Sequence, residues 1–427
     1  MLVLSVALKL HTQQVDYTNA FVQAELPKPV YVEMPRGYRQ NNKILCLNRS
    51  LYGTRDSPLL WFKKCSKGLE GRGFKASPHD PCLFINKKAK IACVVWVDDC
   101  LYFSVDPKEI DRAIDGLKAD GFFVDRELDV AGFLGIEMKN HEDGSIELLQ
   151  TGLIDRVIRA LGLEGANAKK TPAEFGALGK DTDGAPREQD WSYPSVVGML
   201  LYLQNNSRPD LTFAVNQCAR FSKDPKRSHE LALSRIGRYL VGTRTKGMIV
   251  RPGKSMKLDM YCDADWAGLW SYEKPDDPTC VRSRTGYVIT LGGVPVCWSS
   301  KLQTEIALST MHAEYVALST GMRELLPLRS LLEEVLDVYD VKREPESTIS
   351  TVWEDNSACL QLANMPLPRM TPKSKTFAIK YHWFREHVKP GEIVVKKIES
   401  KEQKADIFTK GLRTDLFEDL RKKLLGW

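Results

Sequence analysis

The chain has 427 residues, 43% of them hydrophobic, with 61 lysines and arginines against 55 acidic residues, a formal net charge of +6. This length predicts about three domain-sized units. No stretch reaches the ~18 to 20 consecutive apolar residues of a membrane span, which argues against a membrane partner. The ten cysteines form no C-x-x-C pair, which argues against a zinc module or a disulfide framework and favours a reducing, intracellular compartment.

The first 150 residues mix short strands with helices. The apolar residues 1–8 lack the basic segment of a secretion signal and indicate a buried helix instead. Apolar periodicity predicts the other elements. Strands are expected at residues 30–34, 83–86 and 91–97, and helices at residues 59–71 and 108–121.

Two adjacent carboxylates, Asp98 and Asp99, follow the apolar run 91–97. The strand pattern resumes at residues 101–103, so the sequence predicts a hairpin with both acids at its tip. Adjacent carboxylates repel each other unless a proton or a cation neutralises them. Together with Asp16, such a group can hold two Mg²⁺ about 3.5 to 4 Å apart, as phosphoryl transfer requires.

Residues 151–251 are predicted to be mainly helical. Helices are expected at 154–161, 193–204 and 228–240, with a polar linker at 165–186. The stretch 223–246 is rich in lysine and arginine, including Arg227, Arg235 and Arg238. Either these residues contact phosphate groups of a nucleic acid, or they form a solvated helix face.

The last part has a different order of elements: three strands, a long helix, a strand, a helix, a strand and a short helix. The three strands are expected at residues 258–264, 286–291 and 294–299, and the long helix is expected to begin near residue 312. The next strand is expected at 348–353, and the helix after it extends through residue 362. The final strand is expected at 392–398 and the short helix at 404–409.

Each of four of these elements carries one acid. Asp263 ends the first strand, Glu314 lies in the first turn of the long helix, Asp355 follows a strand, and Asp406 lies in the last helix. Asp355 alone would be interpreted as a helix N-cap. Four such acids that converge on the first strand favour a two-metal nuclease.

Several motifs, taken in order, resemble the C-terminal part of the pol polyprotein of copia-type long-terminal-repeat retrotransposons. That part comprises a reverse transcriptase followed by a ribonuclease H domain. The motifs are Val15-Asp16-Tyr17-Thr18-Asn19-Ala20-Phe21, Ser50-Leu51-Tyr52-Gly53, Val95-Trp96-Val97-Asp98-Asp99, Phe133-Leu134-Gly135-Ile136-Glu137, Tyr261-Cys262-Asp263-Ala264-Asp265, Ala313-Glu314-Tyr315, Asp355-Asn356 and Ala405-Asp406-Ile407-Phe408-Thr409-Lys410.

The resemblance implies an α+β fold. A reverse-transcriptase palm would occupy residues 1–150, a helical thumb or connection 151–250, an α/β ribonuclease H-like domain 251–412 and a helical tail 413–427. Because the chain begins fifteen residues before Asp16, we expect the fingers region to be largely missing. Without the phosphate contacts that fingers supply, polymerase activity of this isolated chain is in question.

The resemblance also implies roles for individual residues. Asp16, Asp98 and Asp99 would hold the polymerase metals. Tyr17, Ala20 and Phe21 would contact the nucleotide, with Phe21 as a steric gate against the ribose 2′-hydroxyl; the alternative for Phe21 is an ordinary core aromatic. The nuclease would hold two Mg²⁺, or Mn²⁺ in their place, through Asp263, Glu314, Asp355 and Asp406.

Three hypotheses follow from this resemblance. The chain is an RNA-directed DNA polymerase with ribonuclease H, or only its ribonuclease H works, or it is a nucleic-acid-binding relic without activity. The implied partners are an RNA template, a DNA primer, RNA/DNA hybrid and deoxynucleoside triphosphates. The implied location is the cytoplasm, inside a virus-like particle if the element is active, or the nucleus.

Overall fold

The computed structural model describes residues 1–40, 43–127, 132–371, 374, 377 and 379–427. It divides into two compact units, Met1–Leu134 with Ser330–Lys342, and Gly135–Arg329 with Arg343–Trp427. The helical middle segment and the C-terminal sheet thus belong to one unit, and the predicted division into four parts is finer than this. No helix of the described ranges combines the length and apolar character needed to cross a bilayer.

The first unit contains a six-stranded antiparallel sheet in the order β4-β5-β6-β7-β1-β8 and a separate pair, β2-β3. The sequence predicted its main helices and hairpin to within a few residues. Its elements are α1 (Leu2–Leu8), β1 (His11–Asp16), α2 (Ala20–Gln23), β2 (Glu25–Val32), β3 (Leu45–Arg49), α3 (Ser57–Glu70), β4 (Lys75–Ala76), β5 (Leu83–Asn86), β6 (Ile91–Trp96), β7 (Asp99–Ser104), α4 (Pro107–Ala119) and β8 (Asp125–Arg126).

One hydrophobic core holds the central strands of this sheet against α3 and α4. Asp106 caps α4 by accepting a hydrogen bond from the Lys108 amide at 2.9 Å, and Pro107 occupies the first helical position. The buried face of α4 includes Ile114, which packs in one cluster with Trp61 of α3. This packing fixes β1 beside β7, so the acids at their ends share one edge of the sheet.

The second unit combines a helical bundle, a three-stranded sheet and a five-stranded sheet. Its elements are β9 (Glu137–Asn140), β10 (Ile146–Leu149), α5 (Thr151–Ala160), α6 (Tyr193–Asn206), α7 (Thr212–Ala219), α8 (Arg227–Gly242), β11 (Met248–Val250), β12 (Leu258–Asp265), β13 (Arg284–Leu291), β14 (Val294–Leu302), α9 (Thr310–Val338, whose end belongs to the first unit), β15 (Ser350–Glu354), α10 (Ser357–Ala363), β16 (Ile393–Lys397) and α11 (Thr414–Leu425).

The five-stranded sheet has the order β14-β13-β12-β15-β16. Its first three strands are antiparallel, and β12, β15 and β16 run parallel, as the predicted order of elements implies. All eight residues of β13 are buried, so both faces of this strand are covered. One boundary was wrong: α9 begins at Thr310, which places Glu314 in its second turn rather than its first.

A fully buried ion pair joins the bundle to the end of the chain. The guanidinium of Arg208 donates to both carboxylate oxygens of Asp210, at 2.9 and 2.8 Å, and neither side chain is exposed. The Tyr239 hydroxyl donates to Asp210 at 2.7 Å. The indole of Trp427 lies 5.2 Å from the Arg208 guanidinium and donates to the Gly247 carbonyl at 2.6 Å. These contacts hold α8 and the C-terminal residues together.

Replacing Asp210 by alanine should destabilise the protein strongly, because the Arg208 charge stays buried without its carboxylate. We expect the free energy of unfolding to fall by about 3 to 5 kcal/mol in urea denaturation. Asp155→Ala is the matched control, since it removes a partly exposed pair with Arg244. Its cost should be much smaller, because solvent screens an exposed ion pair. Equal losses in the two variants would contradict this account.

Candidate metal centre

Three of the predicted nuclease acids come together at one edge of the five-stranded sheet. Asp263 lies near the end of β12, Glu314 on α9, and Asp355 directly after β15. Carboxylate oxygens of these three residues all lie within 4.8 Å of one another. In the described part of the chain, no other group of three or more His, Cys, Asp or Glu side chains is arranged in this way. One cation could therefore contact all three carboxylates.

The local structure explains why the Asp355 carboxylate is available to contact a cation. Because β12 and β15 are parallel neighbours, their carboxyl ends meet at the same edge. Asn356 caps α10 by accepting hydrogen bonds from the amides of Ala358 at 3.1 Å and Cys359 at 3.0 Å. The capping role thus falls to Asn356, and the Asp355 carboxylate instead accepts a hydrogen bond from the Ser400 hydroxyl at 2.8 Å.

Asp406 approaches the same edge from a short 3₁₀ helix, Lys404–Phe408. Gln403, which is fully buried, fixes the start of this helix. Its side-chain amide donates to the carbonyls of Cys262 at 2.9 Å and Trp353 at 3.3 Å, next to the ends of β12 and β15. Asp406 is not a member of the group within 4.8 Å.

Lys410 connects Asp406 to that group. Its ammonium lies 3.2 Å from a carboxylate oxygen of Asp406 and 3.5 Å from one of Asp263. The Thr409 hydroxyl donates a hydrogen bond to the same Asp263 oxygen. The fourth predicted acid therefore reaches the centre through a shared positive charge.

At this edge of the sheet, burial and mutual repulsion disfavour the ionised form of the carboxyl groups. Burial, followed by the charges of Asp263, Glu354 and Asp355, raises the pKa of Glu314 far above its usual range. Burial and then Asp263 raise the pKa of Asp406 to about 7. The pKa of Glu354, which is also buried, is raised to about 8. Nearby positive charge would stabilise these groups in their ionised form.

The side chains present fit a hard divalent cation. All the ligands on offer are carboxylate oxygens, which Mg²⁺ prefers. One oxygen of Glu314, Oε2, is buried and accepts no hydrogen bond in the described structure. A buried carboxylate oxygen without a partner is costly, and a bound cation would satisfy it.

The predicted polymerase acids form a looser arrangement at the edge of the six-stranded sheet. Asp16 and Asp99 are direct cross-strand partners in the antiparallel pair of β1 and β7. Asp98 lies in the preceding turn, where its carbonyl accepts a hydrogen bond from the Tyr17 amide at 2.9 Å. Partial burial first, then Asp98, raises the pKa of both Asp16 and Asp99. In contrast to the other edge, these three carboxylates are not all within 4.8 Å of one another in the described structure.

The residues predicted to bind a nucleotide differ in their exposure. Tyr17 and Ala20 are buried in the core, and the ring of Tyr17 packs edge-on against Trp61 with centroids 5.0 Å apart. Their side chains therefore pack in the core, and a contact of these two residues with a nucleotide stays a prediction. Phe21 is only half-buried, and its ring lies 4.6 Å from that of Tyr52. Its role as a steric gate stays a prediction.

The three arginines predicted to bind nucleic acid have partners within the chain. Arg227 pairs with Glu188 at 2.9 Å and also with Glu230. Arg235 pairs with Glu174 at 2.9 Å. Arg238 donates to the carbonyl of Asn167 at 2.7 Å. Two of these four partners, Glu174 and Asn167, lie in the predicted linker, and the contacts together favour an intramolecular role over phosphate binding.

The sequence analysis assigned no role to four residues that build the centre, namely Gly286, Gln403, Thr409 and Lys410. Lys410 follows Asp406 by four positions, a spacing that could have indicated an ion pair. Gly286 is the cross-strand partner of Asp263. A Cβ atom at this position would lie 2.5 Å from the Thr409 methyl group and 2.9 Å from the Phe408 Cβ, so glycine lets the last segment close onto the sheet.

Comparisons with known proteins agree with the predicted family. Residues 1–175 match the family model described as reverse transcriptase (RNA-dependent DNA polymerase). The retrovirus-related Pol polyprotein from transposon RE1 of Arabidopsis thaliana is 31% identical over 417 residues, which cover 96% of this chain and 27% of the polyprotein. That from transposon TNT 1-94 of Nicotiana tabacum is 30% identical over 439 residues, covering 100% of this chain and 32% of the polyprotein. The chain belongs to the pol polyprotein family of copia-type retrotransposons.

The chain spans only about a third or less of the length of these relatives. Among solved structures, a ribonuclease H1 isolated from compost, LC11-RNase H1, is 17% identical, with 38% of this chain and 97% of that chain covered and a TM-score of 0.25. So low a score supports no conclusion about this chain.

Replacing Gly286 by alanine should displace the segment that carries Asp406. The added methyl group would press on Thr409 and Phe408, and we expect a loss of about 1 to 3 kcal/mol in the free energy of unfolding, as for other overpacked sites. Gly198→Ala is the control, because no atom lies within 4 Å of its Cβ position in α6. If both variants are as stable as the parent in urea, the close approach at Gly286 is not a constraint.

Proposed function

We propose that this chain cleaves the RNA strand of RNA/DNA hybrids at the edge of its five-stranded sheet. The observation that carries the proposal is the group of Asp263, Glu314 and Asp355, whose carboxylate oxygens lie within 4.8 Å of one another. Asp406 lies beside this group, linked to Asp263 by the Lys410 ammonium, and would be the fourth ligand. Mg²⁺ is the cation that suits these ligands, and Mn²⁺ is its closest substitute.

Cations bound at this edge would supply an activated water and neutralise the charge on the departing 3′ oxygen. The residues of the chain hold the ligands in place for this task. Thr409 orients Asp263, Ser400 holds Asp355, and Gln403 fixes the helix that carries Asp406. A centre supported in this way holds its carboxylates in position before the substrate arrives.

The family match supports the choice of substrate. Residues 1–175 resemble RNA-dependent DNA polymerases, whose product on an RNA template is an RNA/DNA hybrid. A nuclease carried on the same chain would meet that hybrid as soon as it forms. Proteins recognise such duplexes through shape and contacts with phosphate and 2′-hydroxyl groups.

A second function, RNA-directed DNA synthesis, is supported by the first unit. The antiparallel register places Asp16 opposite Asp99, with Asp98 in the adjoining turn. In this proposal the first unit is the polymerase palm and the helical bundle is the thumb or connection. The three acids would hold Mg²⁺ for joining deoxynucleoside triphosphates to a primer, with Phe21 against the incoming sugar.

Replacing Asp263 by asparagine should abolish cleavage of a labelled RNA/DNA hybrid in the presence of Mg²⁺. Loss of a supporting residue around a metal typically costs 10- to 100-fold, so loss of a ligand should lower the rate by more than about 100-fold. Asp190→Asn is the control, because Asp190 is exposed. The proposal fails if the parent chain leaves the hybrid intact, or if Asp263→Asn cleaves it at the parent rate.

Replacing Asp99 by asparagine should abolish DNA synthesis and leave hybrid cleavage intact. The assay extends a DNA primer on an RNA template with deoxynucleoside triphosphates and Mg²⁺, and a loss of more than about 100-fold is expected for a metal ligand. Asp190→Asn again serves as the control. If the parent chain cleaves hybrids but extends no primer, the nuclease is the sole activity of this chain.

A further inference from the structure

A lysine side chain occupies part of the acidic centre. The Lys410 ammonium lies between Asp263 and Asp406, at 3.5 and 3.2 Å from their carboxylate oxygens. The side chains of these two acids are only 3% and 8% exposed, whereas that of Lys410 is 42% exposed. The positive charge therefore reaches a buried pair of carboxylates from the solvent side.

The two halves of the centre differ in this respect. Lys410 pairs with Asp263 and Asp406, whereas Glu314 and Asp355 form no ion pair with lysine or arginine in the described structure. On the other side, between Asp263 and Asp406, the ammonium already supplies positive charge.

We propose that Lys410 is an internal counter-ion that competes with a divalent cation for Asp263 and Asp406. The inference rests on the metal centre of the proposed function. Mg²⁺ contacts its oxygen ligands at about 2.0 to 2.1 Å and accepts little distortion, so it cannot share both carboxylates with an ammonium placed between them. The two positive charges would also repel each other at this distance.

Lys410 can leave the centre without unfolding the chain. Its four-carbon stem is flexible, and its partly exposed position gives the ammonium a path to water. Binding should then occur in two stages. A first cation enters at Asp263, Glu314 and Asp355 while Lys410 is in place, and a second enters only at concentrations that displace the ammonium.

The test is a calorimetric titration with MgCl₂ of the full chain carrying Asp99→Asn, which disables the other proposed Mg²⁺ centre. This chain is the parent for the variants below, and thermal melting in EDTA and in Mg²⁺ is a second measurement. Lys410→Met removes the charge, Lys410→Gln removes it but keeps a hydrogen-bond donor, and Lys410→Arg retains it. Lys254→Met is the matched control, because Lys254 is exposed.

Removing the Lys410 charge should lower the Mg²⁺ concentration that half-saturates the weaker stage by about tenfold or more, since one repelling charge is lost next to the ligands. The same variants should melt at a lower temperature in EDTA and gain more from Mg²⁺. Lys410→Arg and Lys254→Met should resemble the parent.

Half-saturation within twofold of the parent in both Lys410→Met and Lys410→Gln would overturn the proposal while leaving the metal centre intact. A parent chain that shows no heat of Mg²⁺ binding would instead remove the metal centre, and with it the proposed nuclease. If Lys410→Met does not fold, Lys410→Gln alone decides the question.

Discussion

Repulsion between carboxylates buried at one edge of the five-stranded sheet is the constraint on which the second unit depends. Asp263 is 2% exposed and Glu314 is 3% exposed. Two like charges 4 Å apart near a protein surface repel by about 4 kcal/mol, so several of them are tolerated only with protons, cations or basic side chains nearby. Lys410 meets this need at one side of the centre, and a divalent cation fits the other side.

The residues around these carboxylates hold the acid-bearing segments close together despite the repulsion, through contacts that join distant parts of the chain. Gln403 donates to Cys262 and Trp353, on two different strands. Asn356 takes over the helix cap and leaves Asp355 available. The glycine at position 286 lets the segment with Thr409 approach the sheet. These contacts position the segments that carry Asp355 and Asp406 and leave the charges of the carboxylates unchanged.

The sequence predicted the parts of this structure that depend on local pattern. Asp98, Asp263 and Asp355 each follow or end an apolar run that was predicted to be a strand. Residues at strand ends lie at an edge of the sheet, so the pattern predicted where these acids lie. Residues whose main contacts are with segments distant in the sequence were not predictable in this way. Gly286 and Gln403 have no local signal, since their partners lie far away along the chain.

The basic stretch around α8 shows a further limit of local pattern. An excess of arginine in one segment indicates positive charge, but its partners can come from elsewhere. Glu174 lies 61 positions before Arg235 and still pairs with it. Similarly, Tyr17 directly follows Asp16 in the sequence, yet its side chain is buried in the core.

The packing of the helical bundle against the five-stranded sheet limits where the chain can be divided into separately folding fragments. The Trp298 indole of β14 donates to the Gln204 carbonyl of α6 at 2.9 Å, and the Arg284 guanidinium lies 5.4 Å from the ring of Phe213 on α7. A fragment that starts at residue 251 would lack α6 and α7. It would expose the face of the sheet that these helices cover and leave the buried guanidinium of Arg284 without the ring of Phe213. A recombinant fragment that contains the five-stranded sheet should therefore retain the preceding helices, or it will tend to aggregate.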